Sequence, residues 1–143
     1  MTQPVLCAVD ISNGMDDVKT VKVAAQMAAL SGAQLDVIAV VPDYGMSPVG
    51  SFFNEDHHEI VVNEGRALVN ALVTEALGAT ENEKVNHVVA TGRAYDEVLK
   101  LASKIDPSLI VIGARKVDFA DYLLGPNAAR IVRHANTSVY VVR

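Results

Sequence analysis

Two glycines, Gly113 and Gly125, bracket a stretch of about a dozen residues within the segment 109–128, LIVIGARKVDFADYLLGPNA. The segment begins as a short apolar run typical of a buried strand and ends in residues that suit the start of a helix. A strand-to-helix connection usually needs only about two to six residues. The extra length favours a loop that holds a ligand, and an ordinary flexible connection is the alternative.

A carboxylate, Asp10, closes another apolar run near the start of the chain, VLCAVD at 5–10. Such a run is expected of a strand buried on both faces, with Asp10 at its carboxyl end. In open α/β sheets, ligands bind beyond the carboxyl ends of the strands, where the winding direction reverses. If the strand that ends at Gly113 is a neighbour of this one, Asp10 and the long loop face one crevice.

The elements that would position these residues alternate along the chain. Apolar runs predict strands at 5–10, 33–41, 85–91, 108–113 and 138–143. Helical spacing predicts helices at 16–32, 59–77, 94–105 and 127–135. In the second helix the predicted buried face includes Leu68 and Leu72, and in the last it includes Ile131 and Val132. Alternation of this kind implies a doubly wound parallel sheet with helices on both faces.

Composition limits the class of protein. The chain has 143 residues, half of them apolar, and no internal repeat or linker, so we expect one domain spanning 1–143. The net charge is −5 with no basic tract, which argues against nucleic acid or anionic membranes as partners. No signal peptide or membrane span is evident, and the single cysteine, Cys7, lies in an apolar run. These features predict a soluble cytoplasmic protein with a buried thiol.

Three stretches of the chain resemble the universal stress protein A family. They are AVDIS at the end of the first strand, TGRAYDEVLKLASK in the turn and helix after the third strand, and IVIGARKVDFADYLLGPNAARIVRHANTSVYVVR at the C-terminal end. The likeness extends in order over the whole chain and is closest to the long-loop subtype. It implies a five-stranded parallel sheet of order 3-2-1-4-5, the adenine nucleotide alpha hydrolase-like fold, and a homodimer.

The resemblance also implies ATP binding through a loop of the form G-x-x-G-x(9)-G-[ST]. Gly113 and Gly125 match the first and last glycines, but Lys116 replaces the middle one and Pro126 replaces the hydroxyl residue. Eight residues separate Lys116 from Gly125, one fewer than the pattern has. The motif is therefore degenerate in this chain.

These departures have opposing physical effects. Glycines let backbone N–H groups approach a phosphate closely. Pro126 offers neither a hydroxyl nor an N–H, so one or two hydrogen bonds to phosphate would be missing, which lowers the binding free energy by roughly 1–3 kcal/mol in total. Proline nevertheless suits the first turn of a helix, where we expect the N–H groups of Asn127, Ala128 and Ala129 to be free for an anion. The side chains of Arg115 and Lys116 add positive charge nearby.

By the same resemblance, Asp10 would hydrogen-bond the ribose, and Val9 and Val40 would frame the adenine. The alternatives are a turn cap for Asp10 and ordinary sheet core for the two valines. The ligand implied is ATP or AMP, with Mg²⁺ as the accompanying ion. No residue is a clear general base, so binding rather than catalysis is expected, with slow ATP hydrolysis at most.

Other chemistry has weaker support. His57 and His58 stand beside carboxylates in NEDHHE, but adjacent histidines point apart, so no metal site is predicted. No G-x-G-x-x-G follows a strand and no P-loop motif occurs.

A family member without nucleotide, acting as a protein-interaction module, is the second hypothesis. By the same resemblance, the last strand, from Ser138 to Arg143, would lie at the sheet edge and pair two subunits. A bare apolar edge strand also favours association, and dimer or tetramer is left open.

Overall fold

The computed structural model describes residues 2–13, 15–41, 55–114 and 125–143. Its strands are β1 (Val5–Val9), β2 (Leu35–Val41), β3 (Asn86–Thr91), β4 (Leu109–Gly113) and β5 (Val139–Val142). Its α-helices are α1 (Val18–Ser31), α2 (Glu55–Leu77), α3 (Ala79–Asn82), α4 (Ala94–Ile105) and α5 (Pro126–His134). No helix in these ranges has the length and apolar character required to cross a membrane.

The strands form one parallel sheet in the order β3-β2-β1-β4-β5, which confirms the predicted α/β class and strand order. Cys7 of β1 is aligned with Val37 of β2 on one side and with Val111 of β4 on the other. The chain moves from β1 to β2 and β3 in one direction, then returns to add β4 and β5 on the other side. The winding direction therefore reverses between β1 and β4.

Alternate strand residues build a separate core on each face of the sheet. Cys7, Val37 and Val111 point to one side and pack with residues of α1 and α2. Leu6, Ile38 and Ile110 point to the other and pack with residues of α4 and α5. The predicted buried thiol is confirmed, because Cys7 is fully inaccessible and burial raises its pKa well above the ordinary value.

The buried face of α2 differs from the predicted one. Leu68 is 50% exposed, whereas Val69, Leu72 and Val73 are buried. Gly65 sets this rotation, because a Cβ atom at that position would lie 3.1 Å from Cγ1 of Val89 in the sheet. The helix thus approaches the sheet along the side that carries Gly65. Leu68 lies about 100° around the helix axis from the buried Val69, so it lies at the margin of the buried face.

Two further differences concern the helices. Val132 of α5 is 44% exposed, so its predicted burial is wrong, while Ala128 and Ile131 are buried as expected.

The short helix α3 was not predicted, and a side-chain network explains it. Asn82 donates through Nδ2 to Asn70 Oδ1 at 2.7 Å and to Thr74 Oγ1 at 2.9 Å, which ties α3 to α2.

The same network reaches the sheet through a histidine. The Oδ1 atom of Asn82 lies 2.6 Å from Nε2 of His87 in β3, and burial lowers the pKa of that imidazole. Since Asn82 Nδ2 already donates to two oxygens, its Oδ1 must accept, so His87 carries its proton on Nε2. This network lies near the start of β3, at the amino ends of the strands. The crevice described in the next section lies at their carboxyl ends.

Candidate functional site

A crevice of about 1060 Å³ opens beyond the carboxyl ends of the strands, at the point where the winding reverses. Seven of the nine residues predicted for the site line it: Val9, Asp10, Val40, Gly113, Gly125, Pro126 and Asn127. The other two, Arg115 and Lys116, lie outside the described residues. Residues from opposite ends of the chain are thus brought to one place, as the sequence predicted for Asp10 and the two glycines.

Asp10 lies directly after β1 and begins a tight turn. Its Oδ1 atom accepts the backbone N–H of Ser12 at 2.9 Å and also the Ser12 hydroxyl. This is an Asx turn, and a short 3₁₀ turn, Ile11–Asn13, follows it. The turn-cap interpretation of Asp10 therefore holds, and the carboxylate is at the same time exposed at the crevice.

Asp17, which the sequence analysis did not single out, also lines the crevice and is less exposed than Asp10. It stands immediately before α1, but its side chain makes no capping hydrogen bond to that helix. Its Oδ2 atom instead accepts the backbone N–H of Asp10 at 2.7 Å, and its Oδ1 atom accepts the Thr20 hydroxyl at 2.8 Å. An Asp before a helical pattern is typical of a cap, so nothing in the sequence pointed to this role.

The electrostatic environment of Asp17 disfavours its charge. Burial is the main cause of a raised pKa, and the charges of Asp10 and Asp16 act in the same direction. The hydrogen bonds from the Asp10 N–H and from Thr20 oppose the shift without cancelling it. The carboxyl group of Asp17 thus retains its proton to a higher pH than an exposed aspartate does.

Gly113, at the end of β4, is packed against Asp17. A Cβ atom added to Gly113 would lie 2.7 Å from Asp17 Oδ1 and 3.0 Å from Thr20 Oγ1. The described side chains alone therefore give a packing reason for glycine at this position. This reason is separate from the phosphate approach on which the sequence prediction rested.

The start of α5 forms another wall of the crevice. Gly125 is the buried N-cap residue and Pro126 occupies the first helical position, where its missing N–H has no cost. The N–H of Ala129 donates to the Gly125 carbonyl at 2.9 Å, so the prediction that it is free was wrong. The N–H groups of Asn127 and Ala128 precede the first intrahelical bond and point out of the helix start, where the dipole favours anions.

Val9 and Val40 line the crevice from opposite faces of the sheet. The side chain of Val9 is buried in the core beneath α1 and α2. Val40 is partly buried and packs on the other core, the one that α4 and α5 cover. Val40 and its neighbours Ala8 and Ile38 thus form an apolar floor of the crevice on the α4 and α5 side.

Charged groups are unevenly distributed around the crevice. Among the described lining residues the acids are Asp10, Asp16, Asp17 and Glu64, and the bases are Lys19 and Arg143. Lys19 donates through Nζ to the backbone carbonyl of Arg143 at 2.7 Å, which joins α1 to the C-terminal residue. No group of three or more His, Cys, Asp or Glu residues within the described ranges is arranged to hold a metal ion.

Comparison with known proteins gives one consistent result. A model described as "Universal stress protein family" matches residues 1–143. Universal stress protein G of Shigella flexneri is 40% identical over 60 residues, 42% of this chain and 42% of that protein. The aligned part thus spans about two fifths of that relative's length. Universal stress protein A homolog 1 of Coxiella burnetii is 28% identical over 141 residues, 96% of this chain and 94% of that protein.

Solved structures share the fold over nearly the full chain. A universal stress protein from Archaeoglobus fulgidus in complex with dAMP aligns with a TM-score of 0.67 and 20% identity, covering 99% of this chain and 98% of that one. A universal stress protein in complex with cAMP aligns with a TM-score of 0.63 and 20% identity, covering 99% and 97%. At 20% sequence identity, these two comparisons show a shared fold.

Proposed function

Because the chain belongs to the universal stress protein family, we propose that it binds an adenine nucleotide, ATP or AMP, and acts in stress response or signalling. The observation that supports this most strongly is the convergence of seven predicted site residues on one crevice at the topological switch point. Two proteins of the same fold are described in complex with dAMP and with cAMP, which supports an adenine nucleotide as the ligand class.

Each wall of the crevice suits one part of a nucleotide. The carboxylate of Asp10 lies at the strand end and accepts hydroxyl donors, as its bond from Ser12 shows, so it is assigned to the ribose. Val40, on the apolar floor, is assigned to the adenine with Val9 beside it in the sheet. The N-terminal end of α5, at Gly125 and Asn127, is assigned to the phosphates.

The phosphates need positive charge, since the described lining is predominantly acidic. Arg115 and Lys116, between β4 and α5 in the sequence, are proposed to supply part of it. Mg²⁺ is proposed to enter with the phosphates, because it commonly binds through phosphate oxygens and one or two carboxylates. The activity proposed is binding, with hydrolysis slow at most.

We further propose a homodimer formed through β5. This strand lies at one edge of the sheet, where its outer backbone groups are placed to pair with another strand. Its partner would be β5 of a second subunit, joined through the residues from Ser138 to Arg143. The cytoplasmic location remains a prediction from the sequence.

A second candidate function is favoured by the charges. Four carboxylates and two cations among the described lining residues oppose a polyanionic ligand, and Pro126 gives the phosphate site one donor fewer. On this alternative the chain binds no nucleotide and acts as a protein-interaction module. The two candidate functions differ in whether an adenine nucleotide stabilises the folded protein.

A thermal-shift experiment separates them. ATP, AMP, adenosine and GTP are each added with and without Mg²⁺. A ligand at about 100 times its Kd stabilises the native state by about 2.7 kcal/mol, which raises the midpoint by several degrees. We expect an increase with the adenine nucleotides and little with GTP. No increase with any of the four would favour the interaction module.

A further inference from the structure

We propose that Asp17 is a positioning residue, which holds Asp10 in the orientation needed to contact the ribose of the bound nucleotide. This inference rests on the proposed function and extends it to a residue outside the sequence motif. It depends on the hydrogen bond from the Asp10 N–H to Asp17 Oδ2, which joins the end of β1 to the start of α1.

Asp17 occupies the N-cap position of α1, but its side chain does not cap that helix. A capping aspartate accepts an N–H from the first turn of its own helix, which stabilises that helix. Asp17 makes no such bond to α1. Its carboxylate reaches back to the N–H of Asp10, seven residues earlier, over a distance of 2.7 Å.

Three described groups hold the Asp17 carboxylate: the Asp10 N–H, the Thr20 hydroxyl and the backbone of Gly113. Thr20 donates to Oδ1 at 2.8 Å, and the backbone of Gly113 approaches so closely that a Cβ atom there would lie 2.7 Å from the same oxygen. Because the carboxylate has little freedom, the peptide group that joins Val9 to Asp10 is fixed in direction. The backbone direction at Asp10 determines where its own carboxylate points.

A second restraint acts on the Asp10 side chain. Its Oδ1 atom accepts two hydrogen bonds from Ser12, from the backbone N–H and from the hydroxyl. Asp17 therefore fixes the backbone of Asp10, and Ser12 fixes its side chain. A hydrogen bond to a ribose hydroxyl requires such placement, because a displacement of about 1 Å removes most of its effect.

The test compares the affinity for ATP with that for 2′,3′-dideoxy-ATP, which lacks both ribose hydroxyls. The ratio of the two affinities isolates the ribose contact from adenine and phosphate binding. For the wild type we expect ATP to bind about tenfold more tightly, the effect of one hydrogen bond to a charged group. The variants are Asp17→Ala, Asp17→Asn and Thr20→Val, measured by isothermal titration calorimetry.

Asp17→Ala should reduce the ratio to near one while dideoxy-ATP still binds. Asp17→Asn should retain the wild-type ratio, because its amide oxygen can accept the Asp10 N–H and its NH₂ group can donate to Thr20. Thr20→Val is nearly isosteric and should give an intermediate ratio, so the inference stays testable if Asp17→Ala does not fold. An unchanged ratio in both Asp17→Ala and Thr20→Val, or in Thr20→Val alone if the former does not fold, would overturn it.

The failure of the inference is distinguishable from failure of the proposed function. If the wild type binds neither nucleotide, the proposed function is wrong and the inference falls with it. If the wild type binds both equally, nucleotide binding stands but the ribose contact does not, and the inference is overturned. If Asp17→Ala weakens both ligands by the same factor, Asp17 is merely structural.

Discussion

Gly113 at the end of β4 and Asp17 before α1 lie in direct contact, since a Cβ atom on the glycine would stand 2.7 Å from the carboxylate Oδ1. The Asp17 side chain cannot yield easily, because Asp10 and Thr20 both donate hydrogen bonds to it. The packing of these two residues thus links the strand end of the long loop to the turn that carries Asp10.

Gly113→Ala is therefore expected to destabilise the protein by about 1–3 kcal/mol, the usual cost of overpacking. Urea denaturation measures this change in the free energy of unfolding. In an Asp17→Ala background the same substitution should cost less, because the nearer of the two oxygens it meets, Asp17 Oδ1, is gone while Thr20 Oγ1 remains. Equal costs in the two backgrounds would show that the glycine is required for another reason.

Gly125 is expected to be essential for nucleotide binding. It is the buried N-cap of α5 and lines the crevice, so we expect a leucine side chain there to occupy space assigned to the phosphates. Gly125→Leu should abolish ATP binding in calorimetry. Ala129→Leu is the matched control, because Ala129 is exposed in the same helix. Unchanged affinity in Gly125→Leu would refute the assignment of the phosphate site.

The raised pKa of Asp17 predicts a pH-dependent difference between the wild type and Asp17→Asn. The folded-state pKa lies above the unfolded value of 3.8, so the stability associated with protonated Asp17 is complete below 3.8 and is lost as the pH rises through the raised pKa. The asparagine side chain of the variant cannot ionise. The free energy of unfolding of Asp17→Asn minus that of the wild type should therefore increase with pH over this window.

This difference is measured by urea denaturation between pH 3.5 and pH 8, a range of about four and a half units around the window. Other titrating groups are common to both proteins and largely cancel in the comparison. A difference that stays constant over the range would mean that Asp17 titrates like an exposed aspartate.

The proposed dimer predicts a contrast between two neighbouring positions of β5. The Ser138 carbonyl accepts from Ile110 and the Val142 carbonyl accepts from Ala114, so even-numbered residues of the strand pair with β4. The backbone groups of Val141 consequently point to the outer edge. Val141→Pro should give a folded monomer, because it removes a donor from the dimer ladder and leaves the hydrogen bonds to β4 intact, at the cost of some side-chain packing.

Tyr140→Pro is the contrasting variant, because it breaks the ladder with β4 and should lower the stability of the subunit itself. Size-exclusion chromatography with light scattering gives the molar mass, and circular dichroism reports on folding. A wild-type monomer, or a Val141→Pro variant that remains dimeric, would contradict pairing through β5.

The sheet and the position of the crevice were predictable because they depend on local patterns. Continuous apolar runs such as Val5–Val9 indicate buried parallel strands, and the carboxyl ends of such strands meet at one edge. The strand order came from the family resemblance, since no local pattern encodes which strands are neighbours. Given that order, the rule that ligands bind where the winding reverses places Asp10, Gly113 and Gly125 at one crevice.

The wrong predictions and the omissions arose where tertiary contacts override or escape a local pattern. Leu68 has the spacing of a buried residue, but the close approach of Gly65 to the sheet turns α2 so that Leu68 is half exposed. Asp17 has the position of a helix cap, but its partner is seven residues away. The helix α3 depends on Asn82 contacts across three elements, which no periodicity reveals.

The central claim is that the crevice holds an adenine nucleotide, and its most direct test uses the protein as purified. The protein is denatured and the released small molecules are identified and quantified by mass spectrometry. We expect ATP or AMP at close to one molecule per subunit in the wild type and none in Gly125→Leu. The absence of nucleotide from the wild type, together with no thermal shift on adding Mg·ATP, would contradict the claim.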